Sequence, residues 1–361
     1  MYKGTGISKD QLSDDGEPYI LYGELYTKYK SETIREVISK TNINNTKLVR
    51  SKANDVIIPC SGETAEDIAT ARCVLNGNIL LGGDLNIIRL HGYDGAFMSY
   101  QLNGRCKYDI AKVAQGVSVV HLYGEHLKGV KTINPCLEEQ KKIAKLLSLL
   151  DERIATQNKI IEDLKKLKCA IIEKVYSEIQ GKEYSYGQLF DVVNERNKQM
   201  EYSNILSASQ EKGMVNRDDL NLDIQFERSN INTYKIVKKG DYVIHLRSFQ
   251  GGFAFSDKLG VCSPAYTILR PNSILEYGYL SNYFTSQRFI KSLVLVTYGI
   301  RDGRSINVEE WLRMKITIPP KEHQQYIVKV IGTFERKIED EEAYAAQLSK
   351  QKQYLLRQMF I

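Results

Sequence analysis

Two short stretches place arginine on glycine-bearing segments. Arg247, Ser248 and Gln250 follow an apolar run, Tyr242 to Ile244, and precede Gly251-Gly252; Arg301, Arg304 and Ser305 lie within the run YGIRDGRSI at 298–306. Guanidinium and carboxamide groups present two hydrogen-bonding atoms in one plane, which suits the edges of guanine and adenine. Arginine on a glycine loop at the start of a helix suits phosphate, because backbone N–H groups and the guanidinium converge on one anion. Ser207, Ser209 and Gln210 come directly after Ile205-Leu206, and Tyr22, Glu24, Tyr26 and Lys28 hold the matching place after Tyr19-Ile20-Leu21. All are candidates for contact with bases or phosphates; the plainer reading of each is a solvated loop residue.

Residues at catalytic spacing are missing from the sequence. There is no Asn/Asp-Pro-Pro-aromatic motif for adenine methylation, no G-x-x-x-x-G-K-[ST] loop and no H-E-x-x-H. His91, His121, His126, His245 and His323 show no pairing that points to a metal, so neither a catalytic nor a metal site is assigned. Cys60, Cys73, Cys106, Cys136, Cys169 and Cys262 are scattered without C-x-x-C, which reads as buried free thiols in a reducing cytoplasm. No run of eighteen apolar residues exists and the start lacks a charged-then-apolar pattern, so neither a membrane span nor a signal peptide is expected. The formal charge of +6 permits a polyanionic partner without demanding one. At 361 residues, 42% hydrophobic and 26% charged, the chain has room for two domains with cores of their own.

The elements that must position those loops form a repeat. Ile143, Leu147, Leu150, Ile154, Gln157, Ile161, Leu164, Lys168, Ile171 and Val175 alternate at spacings of four and three, with charged residues between them. That is a long helix with a coiled-coil seam. Displaced by 184 residues, the slots are Ile327, Ile331, Phe334, Ile338, Glu341, Ala345, Leu348, Lys352, Leu355 and Met359, polar at the same two places. The opening repeats too, PCLEEQ at 135–140 against PPKEHQ at 319–324. The polar slots, Gln157/Glu341 and Lys168/Lys352, either fix register or face a partner. Away from the seam, Leu146, Leu149, Ile160, Leu167 and Ile172 are more apolar surface than a two-helix rod needs, which points to protein docking.

The domains read as 1–134, a globular part; 135–181, the central helix; 182–318, a second globular part; and 319–361, the C-terminal helix. The globular parts share a plan of short strands, with Lys52-Ala-Asn-Asp55 before Val56 matching Lys238-Lys-Gly-Asp241 before Tyr242. Helices are expected at 31–39, 100–113 and 280–296. The opening apolar segment of the second part, Tyr186 to Val193, has no counterpart before Met1, which leaves the first part open to N-terminal truncation. Each long helix would measure about 60 Å at 1.5 Å per residue, and parallel pairing would force one globular part to span that distance. Antiparallel pairing removes the strain, giving two heads on a pseudo-twofold rod. The fold class is α+β: two α/β domains separated by two long antiparallel coiled-coil helices.

The run P-x-L-E-E-Q-x-x-I-A-x-L-L-x-x-L-D-x-x-I from Pro135, followed by L-K-K-L-K at 164–168, resembles the central region of type I restriction–modification specificity (S) subunits. The stretch YILYGELYTKY at 19–29 is similar to part of their first target-recognition domain. The resemblance covers essentially the whole chain. It implies a cytoplasmic, non-catalytic subunit that reads a bipartite site on double-stranded DNA, one half per domain. It further implies two methyltransferase (M) subunits as partners, with S-adenosylmethionine bound by them and no cofactor in this chain, and restriction (R) subunits joined through that complex. The alternatives are a coiled-coil tether with two protein-binding heads, and an enzyme with an unrecognised site.

Overall fold

The computed structural model describes residues 1–4, 6, 9–43, 48–209, 212–219, 228–245, 252–298 and 305–360. The chain divides into two compact units, Met1–Ile160 with Glu341–Ile361, and Ile161–Asp340.

In the first unit a five-stranded sheet runs in the order Tyr2–Lys3, Leu85–Ile88, Asp55–Pro59, Arg72–Val74, Thr33–Ile34. In the second, four strands run in the order Phe190–Val193, Thr267–Pro271, Tyr242–Ile244, Phe253–Phe255. The repeated Lys-x-x-Asp has one structural job in both. Asp55 accepts from the Lys52 N–H at 2.7 Å and from two nitrogens of Arg89 at 3.0 and 2.9 Å. Asp241 accepts from the Lys238 N–H at 2.8 Å and from two nitrogens of Arg270 at 2.9 and 3.0 Å. The residue before each aspartate turns left-handed, Asn54 at φ 77° and Gly240 at φ 94°, a conformation Asn and Gly tolerate. One buried carboxylate thus closes a turn and takes a bidentate arginine from the neighbouring chain segment.

Tyr2–Lys3 lies antiparallel beside Leu85–Ile88, as Phe190–Val193 lies beside Thr267–Pro271. The opening strand of the second unit therefore has a counterpart, two residues long. What has none among the described residues is the strand Lys182–Ser185, paired with Lys315–Ile318, and the helical turn Tyr186–Leu189.

Three expected helices differ. Residues 31–39 form no helix: Thr33–Ile34 runs parallel to Arg72–Val74 and Ser39–Thr41 pairs with Glu17–Ile20, because burial of the β-branched pair outweighs local helix preference. The stretch 100–113 is two helices, Gly95–Asn103 and Lys107–Lys112, and the first begins early because the Asp94 carboxylate accepts from the Phe97 N–H at 2.8 Å. Within 280–296 the α-helix is Gln287–Ser292, capped by Ser286 and flanked by 3₁₀ turns. The six cysteines are free; Cys73, Cys106 and Cys262 are buried and Cys60 partly so, but Cys136 and Cys169 are exposed, correcting the expectation that all are buried.

The long helices are Leu137–Ser177 and Lys321–Gln358. In the first unit Ile143 and Leu147 share a cluster with Leu355, Leu356 and Met359, Asp151 meets Lys352 at 2.6 Å, and the Arg153 Nε donates to the Tyr344 hydroxyl at 2.9 Å. Gln157 reaches Glu341. In the second unit Lys168 meets Glu335 at 2.7 Å, and Ile172 and Tyr176 cluster with Ile327 and Ile331. Numbers rise along one helix as they fall along the other, so pairing is antiparallel in both units. Of the seam slots, Leu147, Ile161, Ile327, Ile331, Ile338 and Leu348 are buried; Ile143, Leu150, Ile154, Leu164, Phe334 and Leu355 are half-buried. The polar slots face the seam. Gln157 bonds its own repeat counterpart, and Lys168–Glu335 and Lys352–Asp151 are the same ion pair displaced by 184 residues, which is the register-fixing reading. Ile172 is buried in the core of the second unit and is not spare docking surface.

The repeated opening ends in a glutamine that ties each globular part to its helix. Gln140 donates to the Pro135 carbonyl at 2.8 Å and accepts from the Asp94 N–H at 3.0 Å. Gln324 donates to the carbonyls of Pro319 and Ile274, both at 3.0 Å, and accepts from the Glu276 N–H at 2.8 Å. Both are buried, and every partner is backbone.

Candidate nucleic-acid interface

In the first unit the candidates sit on the helical turn Glu24–Thr27 that follows the strand Glu17–Ile20. Glu24 is spent inside the fold. Its buried carboxylate accepts from the Leu21 N–H at 3.1 Å, from Lys28 Nζ at 2.7 Å and from the Ser39 hydroxyl, so it is not free to read a base. Lys28 is partly committed, to Glu24 and to Ser39 at 3.1 Å. Tyr22 packs on the cluster of Ile20, Leu25 and Tyr29. Tyr26 is better placed: a Cβ added at Gly62 would lie 3.7 Å from its hydroxyl. Burial first, then Tyr22, Asp67 and Glu63, push that hydroxyl up from its ordinary range.

Gly62 belongs to the strand Ser61–Gly62, paired antiparallel with Val120–His121. A side chain there would meet Ile68 at 2.5 Å, so glycine is required. Before His121 the chain makes a tight turn: the Gln115 N–H donates to the His121 carbonyl at 2.9 Å and the His121 N–H returns to the Gln115 carbonyl at 2.7 Å. After it, Tyr123 stacks on His121 and takes the His126 ring edge-on, with centroids 6.2 and 5.6 Å apart. No motif or periodicity in the sequence points to this turn.

In the second unit Ser207 and Ser209 lie on the strand Leu206–Ser209, paired with Gly213–Asn216, and the Ser209 hydroxyl accepts from the Lys212 N–H at 3.3 Å. Gln210, Arg247, Ser248, Gln250, Arg301 and Arg304 lie outside the described residues; Ser305 is placed only as backbone, in the strand Ser305–Ile306. The segment 246–251 joins Tyr242–Ile244 to Phe253–Phe255, closed at its base by the His245 N–H donating to the Gly252 carbonyl at 3.0 Å. Burial pushes the His245 imidazole down from its ordinary range. The hairpin that carries Ser209 instead turns beside Phe255, at the other end of that strand, where Gly213 (φ 69°) would bring a Cβ within 2.4 Å of the Phe255 carbonyl. Segment 299–304 joins Thr297–Tyr298 to Ser305–Ile306. The described residues include no group of three or more His, Cys, Asp or Glu able to hold a metal ion, and no helix long and apolar enough to cross a membrane.

A family model described as the type I restriction modification DNA specificity domain matches residues 2–166 and, again, residues 181–350. The chain belongs to that family. Among curated relatives of this specificity family, the type I restriction enzyme MjaVIII specificity subunit of Methanocaldococcus jannaschii is 28% identical over 157 residues, 43% of this chain and 35% of its own length. The MjaX specificity subunit of the same organism is 24% identical over 249 residues, 64% of this chain and 58% of that protein. The chain thus aligns with between a third and three fifths of the length of these relatives. The S subunit of a type I restriction–modification system from M. genitalium shares the fold at 16% identity, with a TM-score of 0.57 over 100% of this chain and 93% of the other. A chain from a structure concerned with complex assembly and conformational transition of the type I R-M system matches at 13% identity, TM-score 0.60, over 98% and 93%. The α+β fold, with a long helix between two repeated specificity domains, is that of S subunits.

Proposed function

We propose that this chain is the sequence-reading, non-catalytic subunit of a type I restriction–modification complex, with each unit reading one half of a bipartite duplex-DNA site. The observation that carries this is duplication: the DNA specificity match occurs twice, each occurrence largely coincides with its own compact unit, and each unit contains its own antiparallel stretch of the long helices. Methyl transfer, with S-adenosylmethionine, and cleavage are assigned to partner subunits. Methylome sequencing of a host carrying the chain with its methyltransferase partner tests the proposal. A bipartite modified motif is expected; unpatterned methylation, or a duplex affinity of the complex that ignores salt, sinks it in favour of a protein tether.

Within the second unit, Arg247 is assigned to base reading and Arg301 and Arg304 to phosphate. Arg247→Ala is expected to cost about 1–3 kcal/mol and to relax preference at one position of one half-site. Arg301→Ala or Arg304→Ala is expected to weaken binding to all sequences alike and to lower the salt slope by about one. Affinities for single-base variants across both half-sites decide it; an unchanged preference profile for Arg247→Ala removes that residue from base reading.

The partner subunits are assigned to the outer helix face. Leu146, Leu149, Ile160 and Leu167 are 41–50% exposed, and each immediately precedes a seam slot, so they form one stripe at heptad spacing. Two methyltransferase copies are expected per chain, by the logic of repeated surfaces. The stripe on the second helix is less apolar (Val330, Thr333, Tyr344 and Gln351), so its copy should bind more weakly. Mass measurement of the reconstituted complex checks this. One-to-one stoichiometry at saturating partner overturns the two-copy assignment.

A further inference from the structure

We infer that the turn Gly116–Val119 of the first unit is a base-reading element, in which the Val117 side chain contacts a thymine methyl group in the major groove. The inference rests on the DNA-reading function proposed above and names a residue for it. Val117 is 97% exposed, the most exposed large apolar side chain among the described residues. Nothing in the unit shelters it, and the exposure is built in. Gln115 and His121 exchange two backbone hydrogen bonds across the base of the turn. Gly116 sits at φ 123°, where a Cβ would fall 2.1 Å from the Val119 carbonyl, so the turn holds its shape only with glycine there.

Its place in the chain repeats in the second unit. In each, a connection between paired strand segments precedes a short helix, Gly124–Leu127 or Val308–Arg313, and then the opening proline Pro135 or Pro319. In the second unit that connection is 299–304, which carries Arg301 and Arg304. The first unit has Gly-Val-Ser-Val at the same place. Beside it stand groups suited to polar base edges: Ser118 within the turn, His121 at its base and, beyond the paired strand Ser61–Gly62, the Tyr26 hydroxyl. A lone valine with a half-exposed neighbour, Val119, is far too small for a protein interface, which needs about 1,000 Å². It matches the size of one methyl-to-methyl contact with thymine, an apolar contact that proteins make in the major groove.

The test uses the chain with its methyltransferase partner, and a duplex carrying the motif that the complex methylates. Each thymine of the half-site read by the first unit is replaced in turn by uracil, which lacks only the methyl group. Wild type is expected to lose about fourfold in affinity at one position, the worth of one buried carbon. Val117→Ser should lose the same factor on the thymine duplex and no longer distinguish uracil there. Val117→Thr, which keeps a methyl, should restore the distinction. Unchanged melting of both variants confirms that folding is not at issue. If Val117→Ser leaves every thymine preference intact, or weakens thymine and uracil duplexes equally, the assignment of Val117 is wrong while DNA reading stands. If the wild-type complex shows no salt-dependent affinity for the motif duplex, both fail.

Discussion

Lys352→Met should destabilise the first unit by about 3–5 kcal/mol, whereas Lys168→Met in the second should cost at most about 1 kcal/mol. The two lysines are repeat counterparts and each pairs with the counterpart acid, yet their surroundings differ. Lys352 is 13% exposed and lies 2.5 Å from Glu32 and 2.6 Å from Asp151. Asp151 also accepts from the Tyr100 hydroxyl at 2.7 Å and the Ser31 hydroxyl at 2.9 Å. Removing the ammonium leaves two buried carboxylates facing each other. Lys168 and Glu335 are 23% and 41% exposed, so water takes over when the pair is broken. Burial holds the Glu32 carboxyl above its ordinary range, against the pull of Lys352, and Asp151 pushes it further. A raised folded-state pKa favours the folded protein while the group is protonated. Its contribution is therefore full below the ordinary glutamate range and fades as pH rises through the elevated value. The Lys352→Met deficit should accordingly shrink on acidification. Urea melts at pH 7 and pH 5 check this; a deficit that grows at pH 5, or equal costs for the two lysines, contradicts it.

Ile338→Asp should cost several kcal/mol, and Leu149→Asp within about 0.5 kcal/mol, although both put a carboxylate on a helix of the same pair. Ile338 is buried in the seam; Leu149 is 47% exposed on the outer face. The second variant should instead lose affinity for the methyltransferase subunit proposed above as its partner. Thermal melts of the isolated chain, together with mass measurement of the complex, separate the two effects. A seam variant that melts like wild type removes the seam from the account of stability.

The long helices were legible in the sequence because their signal is local: eight apolar slots in ten, in heptad order, twice. Even Gln157 and Glu341 could be matched by counting, and they touch. The globular parts were less legible because their strands are two to five residues long and find partners far away in sequence. Residues 31–39 look helical in isolation, yet Thr33–Ile34 is fixed by a strand some forty residues on, and Glu32 by a lysine at the far end of the chain. Glu24 reads from the sequence as a base contact because no local pattern reveals that Ser39 and Lys28 enclose it. Ile172 looks spare in the sequence because the helical wheel does not show which flank a globular part covers. Val117 went unnoticed because a single valine carries no periodicity. Its signal is a glycine at the place in chain order that residues 299–304 hold in the second unit.

Gln140 and Gln324 fasten their globular parts through main-chain atoms alone. Such a joint is indifferent to side-chain identity on the far side. A head of another sequence keeps this joint if its loop offers one amide hydrogen to Gln140, or one amide hydrogen and one carbonyl to Gln324, but it must also supply the side chains that meet the helices further along, as Glu32 and Tyr100 do in the first unit. Substitutions in the loops that meet these glutamines are therefore tolerated by the joint itself, whatever side chains they bring. The joint sets the height of each loop on its helix and leaves side-chain matching to contacts further along.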